Sequence, residues 1–166
     1  PFLGGGEMIE DVYLEQSTWA EIPHKFEAGT PPIGEAIGMA TALAYLESIG
    51  LNRIQEWESQ LTKYLFEGLN KINEITVLGP SPKQQPHRGA LATFTTQNIH
   101  ANDLAELLNE NKIYIRSGHH CCQPLHRNYS LNASARASLS FTTTFQEIDS
   151  FLEELKSCIK FLKKFS

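Results

Sequence analysis

The chain has 166 residues, of which 41% are hydrophobic and 20% are charged, so it is long and apolar enough to bury a core of its own. Its 14 lysines and arginines against 19 aspartates and glutamates give a net charge of −5, which excludes a broad basic surface for nucleic acid or anionic membranes. The apolar runs are shorter than the ~18 residues of a membrane span. Three cysteines, two of them adjacent, form no disulfide framework and favour a reducing compartment.

The first part of the chain is predicted to form short strands followed by two helices. Residues 8–14 have the composition of one or two short strands. Apolar residues repeat at helical spacing over 33–49, and Gly50 supplies a stop signal. A second, longer helix is predicted over 53–72, because its apolar residues fall on one stripe.

The remaining sequence mixes the two kinds of element. Strands are predicted over 75–78, 90–95, 112–116 and 136–142, and helices over 102–109 and 146–161. Residues 117–134 have no clean period and are predicted to be an irregular connection. This order indicates an α+β fold in which helices pack on a short mixed or antiparallel sheet.

Chemically useful side chains concentrate in one segment, residues 116–127, which reads Arg-Ser-Gly-His-His-Cys-Cys-Gln-Pro-Leu-His-Arg. Long irregular loops inside a compact domain are often functional. A cysteine attacks as its thiolate, and cationic neighbours such as Arg116 and Arg127 lower the pKa of a thiol. The segment is therefore a candidate nucleophile loop.

Two other interpretations of this loop are possible, a core role for its cysteines and a zinc site. Free cysteines are usually small core residues, but the ionisable side chains crowded around Cys121 and Cys122 suit a buried filler poorly. A zinc site has the right ligand types, yet consecutive ligands cannot all face one ion and the chain has no second cysteine pair. We therefore predict no metal site. His119, His120 and His126 would be the remaining ligands of such a site.

The loop resembles the catalytic-cysteine loop of cysteine desulfurases of the SUF type (group II), which are pyridoxal-phosphate enzymes of the class V aminotransferase superfamily. Three further segments resemble that family in the same order along the chain: residues 2–8, residues 26–31 and residues 132–138. The resemblance implies the small C-terminal domain of a fold type I transferase over residues 31–166. Residues 1–30 would then belong to the cofactor domain and the dimer interface.

The resemblance implies an activity, the conversion of L-cysteine to L-alanine with the sulfur left on Cys121 as a persulfide. Pyridoxal 5′-phosphate would act as the electron sink. An acceptor protein of the SUF system would take the sulfur for iron–sulfur cluster assembly, and the enzyme would be a homodimer in the bacterial cytosol or the plastid stroma. Selenocysteine lyase activity and a stand-alone sulfur-carrier module are the two alternatives.

The resemblance also implies roles for single residues. Arg136 matches the arginine that binds the substrate carboxylate, and Arg116 matches the arginine that opens the loop. Thr30 matches a threonine that reaches the cofactor phosphate of the partner subunit. His119 and His120 match a family pair and are expected to support the loop. Position 122 is usually alanine in the family, so Cys122 is a departure. It either receives or quenches the persulfide or fills the alanine's space, and the last is the favoured expectation.

One family residue has no match in this sequence. The Schiff-base lysine of the family precedes the Gly4–Gly6 segment, and the chain starts at Pro1 without an initiator methionine. We therefore expect a C-terminal piece of a longer protein that is inactive by itself. Lys25 follows His24, as at some pyridoxal-phosphate sites, but it stands where the family has a non-catalytic turn and is rejected as the Schiff-base lysine.

Overall fold

The computed structural model describes residues 1–165, which divide into two compact units, Pro1–Gly50 and a second unit from Leu51 onward. The sequence predicts a domain boundary after residue 30, with the 33–49 helix in the C-terminal domain, and this boundary stays a prediction. No helix within the described residues is both long enough and apolar enough to cross a membrane.

The first unit contains a hairpin and a helix. β1 (Ile9–Val12) pairs antiparallel with β2 (Ser17–Trp19), and α1 spans Ile33–Ile49. Gly50 follows α1 at φ 98°, a conformation that glycine adopts without strain, so the predicted helix and its stop are confirmed. Although α1 is apolar around its circumference, it carries no buried side chain in this structure.

The second unit holds the core. Its elements in chain order are α2 (Leu51–Leu69), β3 (Ile75–Leu78), β4 (Leu91–Thr96), α3 (Ala101–Glu110), β5 (Arg116–Gly118), α4 (Gln123–Asn128), β6 (Ser134–Ser138) and α5 (Phe145–Leu162). The four strands form one sheet in the order β3-β4-β6-β5, and every neighbouring pair is antiparallel. The predicted α+β class is confirmed.

The two faces of this sheet have different compositions. Side chains alternate along a strand, so Ala92 and Phe94 of β4 share one face with Ala135 and Ala137 of β6. All four are buried in the core that α2, α3 and α5 complete. The intervening residues of β4, β5 and β6 therefore point to the opposite face, which the three long helices do not cover.

α5 closes the core and has a well-defined start. The Thr144 hydroxyl accepts from the Glu147 N–H at 3.2 Å, and the Glu147 carboxylate accepts from the Thr144 N–H at 2.7 Å, which satisfies two otherwise unpaired donors. Its buried residues then recur on one helix face, at Ile148, Phe151, Leu152, Leu155, Cys158 and Ile159. Burial raises the pKa of the Cys158 thiol to about 11, so this cysteine is a core residue and not a nucleophile.

Three predicted elements were wrong in their bounds. The 112–116 strand is only Arg116–Gly118, because Lys112 turns at φ 60° and the Ile113 N–H bonds back to Leu108 at 3.1 Å. The 136–142 strand lies at Ser134–Ser138, since residues 140–143 form a turn. The 117–134 connection contains the short helix α4, which the sequence analysis missed.

Phe94→Ala should destabilise the second unit by about 3–5 kcal/mol, since a fully buried ring leaves a cavity that its neighbours fill only in part. The Phe94 ring packs against Phe151 with centroids 6.4 Å apart, so the substitution removes packing between β4 and α5. Urea unfolding measures the change. Phe165→Ala, at a ring 75% exposed, is the matched control and should leave the unfolding midpoint in place. Equal midpoints for the two variants would contradict this core assignment.

Candidate functional site

The sheet face away from the three long helices carries two directly paired arginines. Arg116 of β5 pairs directly with Arg136 of β6, which also lies opposite Thr93 of β4. Directly opposed residues have Cβ atoms about 4.5–5.5 Å apart, and like charges at that distance destabilise a sheet. The arrangement therefore creates a local positive potential that suits an anionic ligand.

The loop between β5 and α4 follows an unusual backbone path. Gly118 has φ 113°, and His120 and Cys121 have φ 51° and 60°, so two consecutive non-glycine residues adopt the left-handed conformation. Each costs about 1–2 kcal/mol, and such strain concentrates at functional sites. The path leaves the Cys121 side chain exposed and turns His120 toward the sheet.

Cys121 lies beside a cation. The Arg116 guanidinium donates from Nη2 to the Cys121 sulfur at 3.7 Å. Both residues line an open groove of about 550 Å³ together with His119, His120 and Gln123. An exposed sulfur next to a guanidinium has the surroundings of a reactive cysteine, because the positive charge attracts the thiolate form that attacks.

Arg136 faces a second, narrower cavity of about 290 Å³, whose walls include His120, Cys122, His126 and Tyr129. The Nε atom of Arg136 is buried, and it has no hydrogen-bond partner within residues 1–165. A buried guanidinium donor without an acceptor is costly unless a ligand satisfies it. The carboxylate of a small molecule has the matching two-oxygen geometry.

Ser134 organises two of the three histidines near the cysteines. His120 Nε2 lies 3.1 Å from the Ser134 carbonyl oxygen, and His126 Nε2 lies 2.9 Å from the Ser134 hydroxyl. The His126 ring also contacts the rings of His119 and His120, with centroids 5.5 and 5.9 Å apart. Within residues 1–165, no three His, Cys, Asp or Glu side chains are grouped in a way that would hold a metal ion.

His120 is the histidine whose protonation the site controls. Burial lowers the pKa of His120 below its ordinary value, and the positive charge of Arg136 lowers it further. The hydrogen bond to the Ser134 backbone raises this pKa, but by less than the other two effects lower it. The ring is therefore neutral at pH 7. Its Nδ1 atom is buried and, like Arg136 Nε, has no partner among the described residues.

This shift predicts a pH dependence of both titration and stability. An imidazole NMR titration should place the pKa of His120 below about 6.5, and Arg136→Gln should raise it. Between the lower folded pKa and the higher unfolded pKa the unfolded chain binds more protons. Folding stability from this group is thus present above pH ~6.5 and is lost as pH falls through the folded pKa. A folded pKa at or above the ordinary value would contradict the assignment.

The remaining predicted residues lie in the first unit. Thr30 is exposed and lies three residues before the first residue of α1, and Lys25 lies in a short 3-10 helix at His24–Phe26. Ser134 has no predicted role, and His126 is predicted only as a ligand of the rejected zinc site. The sequence gives no signal for Ser134 because the predicted strand begins at residue 136, whereas in the structure Ser134 lies two residues before Arg136 on β6 and shares its face.

The family model described as Aminotransferase class-V matches residues 1–151.

The chain belongs to the class-V aminotransferase family.

Its similar relatives include a probable cysteine desulfurase of Synechocystis, 49% identical over 161 residues, which covers 97% of this chain but only 38% of that protein. A probable cysteine desulfurase of Streptomyces coelicolor is 43% identical over 156 residues, or 94% of this chain and 37% of the relative. The apo structure of a cysteine desulfurase from Thermococcus onnurineus superposes with a TM-score of 0.80 at 38% identity, covering 96% of this chain and 39% of that one. This class-V aminotransferase chain thus spans less than two fifths of the proteins it resembles and shares their fold.

Proposed function

We propose that the chain is the C-terminal part of a pyridoxal-phosphate-dependent cysteine desulfurase, which converts L-cysteine to L-alanine and leaves the sulfur on Cys121 as a persulfide. The observation that carries the proposal is the exposed Cys121 sulfur, 3.7 Å from Arg116 Nη2 and on the sheet face that also holds Arg136. A nucleophile and a carboxylate-binding cation are the two groups that such a reaction needs from this domain.

Family membership implies pyridoxal 5′-phosphate as the cofactor. The side chains of the second unit fit the amino-acid end of a cofactor-bound substrate, because Arg136 Nε and His120 Nδ1 are buried, lack partners within residues 1–165 and border the same cavity. Thr30 would donate its hydroxyl to the cofactor phosphate in a partner subunit. When bound, the cofactor supplies an electron sink that weakens the carbon–sulfur bond of the substrate.

The chain's own residues then have separate tasks. Arg136 binds and orients the substrate carboxylate with its guanidinium fork. Arg116 attracts the Cys121 thiolate, which attacks the substrate sulfur, so that a sulfur–sulfur bond forms as the carbon–sulfur bond breaks. His120, neutral at pH 7, holds a proton at one ring nitrogen and a lone pair at the other, while His119 borders the groove.

We further propose the SUF-type branch for this chain, supported by the loop residues 116–127. In that setting the protein is a homodimer that passes sulfur to a SUF acceptor protein for iron–sulfur cluster assembly, in the bacterial cytosol or the plastid stroma. The net charge of −5 is compatible with protein partners and disfavours nucleic acid.

The test uses the complete gene product that carries this chain, purified with bound pyridoxal phosphate. Incubation with L-cysteine should yield alanine and an equal amount of protein-bound sulfur that thiols release as sulfide. Selenocysteine is assayed in parallel, and a strong preference for it would identify a selenocysteine lyase instead. Absence of alanine from the cofactor-loaded protein would contradict both activities. If the cofactor-loaded protein forms no alanine but accepts persulfide sulfur from another enzyme, the chain is a sulfur carrier.

A further inference from the structure

Cys122 lies in different surroundings from Cys121, although the two are adjacent. The Cys122 thiol is half-buried and donates to the His119 carbonyl oxygen at 2.9 Å. It lines the narrow cavity that contains Arg136, whereas Cys121 lines the open groove. The Cys122 sulfur therefore has polar surroundings that a side chain present only to fill space would not need.

The Cys122 sulfur is 3.7 Å from Nδ1 of His126, a ring that is only 5% exposed. The other nitrogen of that ring lies 2.9 Å from the fully buried Ser134 hydroxyl. A hydroxyl both donates and accepts, so Ser134 can hold the tautomer that carries its proton on Nε2. With that tautomer Nδ1 can take the thiol proton, which gives a nucleophile, a base and an orienting group in sequence. Nδ1 also lies 3.1 Å from the Cys122 carbonyl oxygen, which accepts from Nδ1–H once the ring is protonated.

This arrangement follows from local structure. Cys122 immediately precedes α4, and His126 comes four residues later, so both lie on the same side of the first helical turn. Ser134 begins β6 beneath that turn, and Arg136 lies two residues further on the same sheet face. The unpartnered Nε of Arg136 supplies a separate indication that the cavity receives an anion.

We propose that Cys122 is a second sulfur-accepting thiol, which takes the terminal sulfur of the Cys121 persulfide into the Arg136 cavity. This inference rests on the proposed function of Cys121. His126 accepts the Cys122 proton, and the resulting thiolate attacks the terminal sulfur. A new sulfur–sulfur bond forms at Cys122, the bond at Cys121 breaks, and Cys121 leaves as a thiolate beside Arg116. The step exchanges one persulfide for another and needs no external oxidant or reductant.

The geometry favours transfer of the terminal sulfur over a disulfide between the two cysteines. Their sulfur atoms have different partners, Arg116 for Cys121 and His119 with His126 for Cys122. A persulfide extends the reach of Cys121 by about 2 Å, the length of a sulfur–sulfur bond. Once transferred, the persulfide anion would lie half-buried with the Arg136 guanidinium as its counter-ion and out of the open groove.

The experiment uses the complete, cofactor-loaded protein with one equivalent of L-cysteine, followed by alkylation and fragment-ion mass spectrometry at successive times. An added sulfur should appear first on Cys121 and then on Cys122. In Cys121→Ser, L-cysteine should label neither position. His126→Asn should slow labelling of Cys122 about 100-fold at pH 7 relative to the labelling of Cys121 measured in the same samples, and His87→Asn, at an exposed histidine, should match the wild type.

A pH series separates proton acceptance from a merely structural role of His126. The groups facing this thiol and ring are His119, His120, Tyr129 and Arg136, and none of them is changed in the variant. At about pH 10 ordinary thiols lose their proton to solvent without the help of a base. The difference between His126→Asn and the wild type in the rate of Cys122 labelling should therefore be smaller at that pH. If His126→Asn slows Cys122 labelling by the same factor at every pH, His126 does not accept the proton. Ser134→Ala should slow Cys122 labelling with the same pH dependence but by a smaller factor.

Inorganic polysulfide provides a test that does not depend on the desulfurase activity. Cys121 is loaded with it, the excess is removed, and migration to Cys122 is followed. Migration without alanine formation from cysteine would retain this inference and reject the proposed function. Alanine formation with the sulfur confined to Cys121 would support the proposed function and reject the transfer to Cys122. A disulfide between the two cysteines with release of sulfide, or labelling of Cys122 by L-cysteine in Cys121→Ser, would overturn the transfer step.

Discussion

Cys121→Ser should abolish persulfide formation in the complete protein while leaving the visible absorbance of bound pyridoxal phosphate intact. A serine hydroxyl keeps the size of the side chain, but its oxygen is a far weaker nucleophile than a thiolate at neutral pH. Because the side chain is exposed and, within residues 1–165, its single polar contact is with Arg116, the substitution should not disturb folding. Alanine formation, protein-bound sulfur and the cofactor spectrum are measured on the same sample.

Two controls make this result interpretable. Cys158→Ser changes a cysteine in the α5 core and should lower stability without changing the sulfur chemistry of a folded sample. Cys122→Ala keeps Cys121 and should still form one persulfide. If Cys121→Ser retains turnover and the sulfur is found on Cys122, the nucleophile has been assigned to the wrong member of the pair.

Arg136→Ala should raise the KM for L-cysteine strongly, because the substrate carboxylate loses a charged, two-point hydrogen bond. Charged hydrogen bonds of this kind contribute about 2–4 kcal/mol together, which corresponds to roughly 30- to 900-fold in kcat/KM. Arg136→Lys should recover only part of the loss, since an ammonium group keeps the charge but not the planar fork. Steady-state kinetics over a range of cysteine concentrations separates KM from kcat.

Removing Arg136 has a second consequence on the free protein. Arg116 would lose the like charge opposite it in the sheet, so the variant should fold at least as stably as the wild type. Arg53→Ala, at an exposed position of α2, is the matched control and should leave the kinetics unchanged. An unchanged KM in Arg136→Ala would remove this arginine from the substrate site.

Local patterns in the sequence predicted most of the fold. The bounds of α1 and β3 match the prediction, because a glycine ends one and the other is a short β-branched run. The predicted 112–116 strand was wrong in its bounds because the chain is still turning out of α3 at Lys112 and Ile113, which no local strand propensity reveals. α4 was missed since its six residues contain a proline and no apolar stripe, and its start depends on the turn at Cys122.

The site was predictable only in part, because several of its contacts join residues that are distant in the sequence. Residue types and their order pointed to the loop at 116–127 as the place of the chemistry. The pairing of Arg116 with Arg136 depends on strand register, which no local pattern specifies, and the contact of His126 with Ser134 depends on how α4 lies over β6. Such contacts between residues distant in the sequence arise from tertiary structure.

The alternation along β6 makes the proposed substrate site sensitive to the length of this strand. Inserting one residue between Ser134 and Ala135 would turn every following side chain to the other side, so that Arg136 would enter the alanine-lined core and Ala135 would replace it above the cavity. The length of the connection after α4 should therefore be easier to change than that of this five-residue segment. Engineering of this domain should place added loops before residue 131 or after residue 139 and leave the strand length as it is.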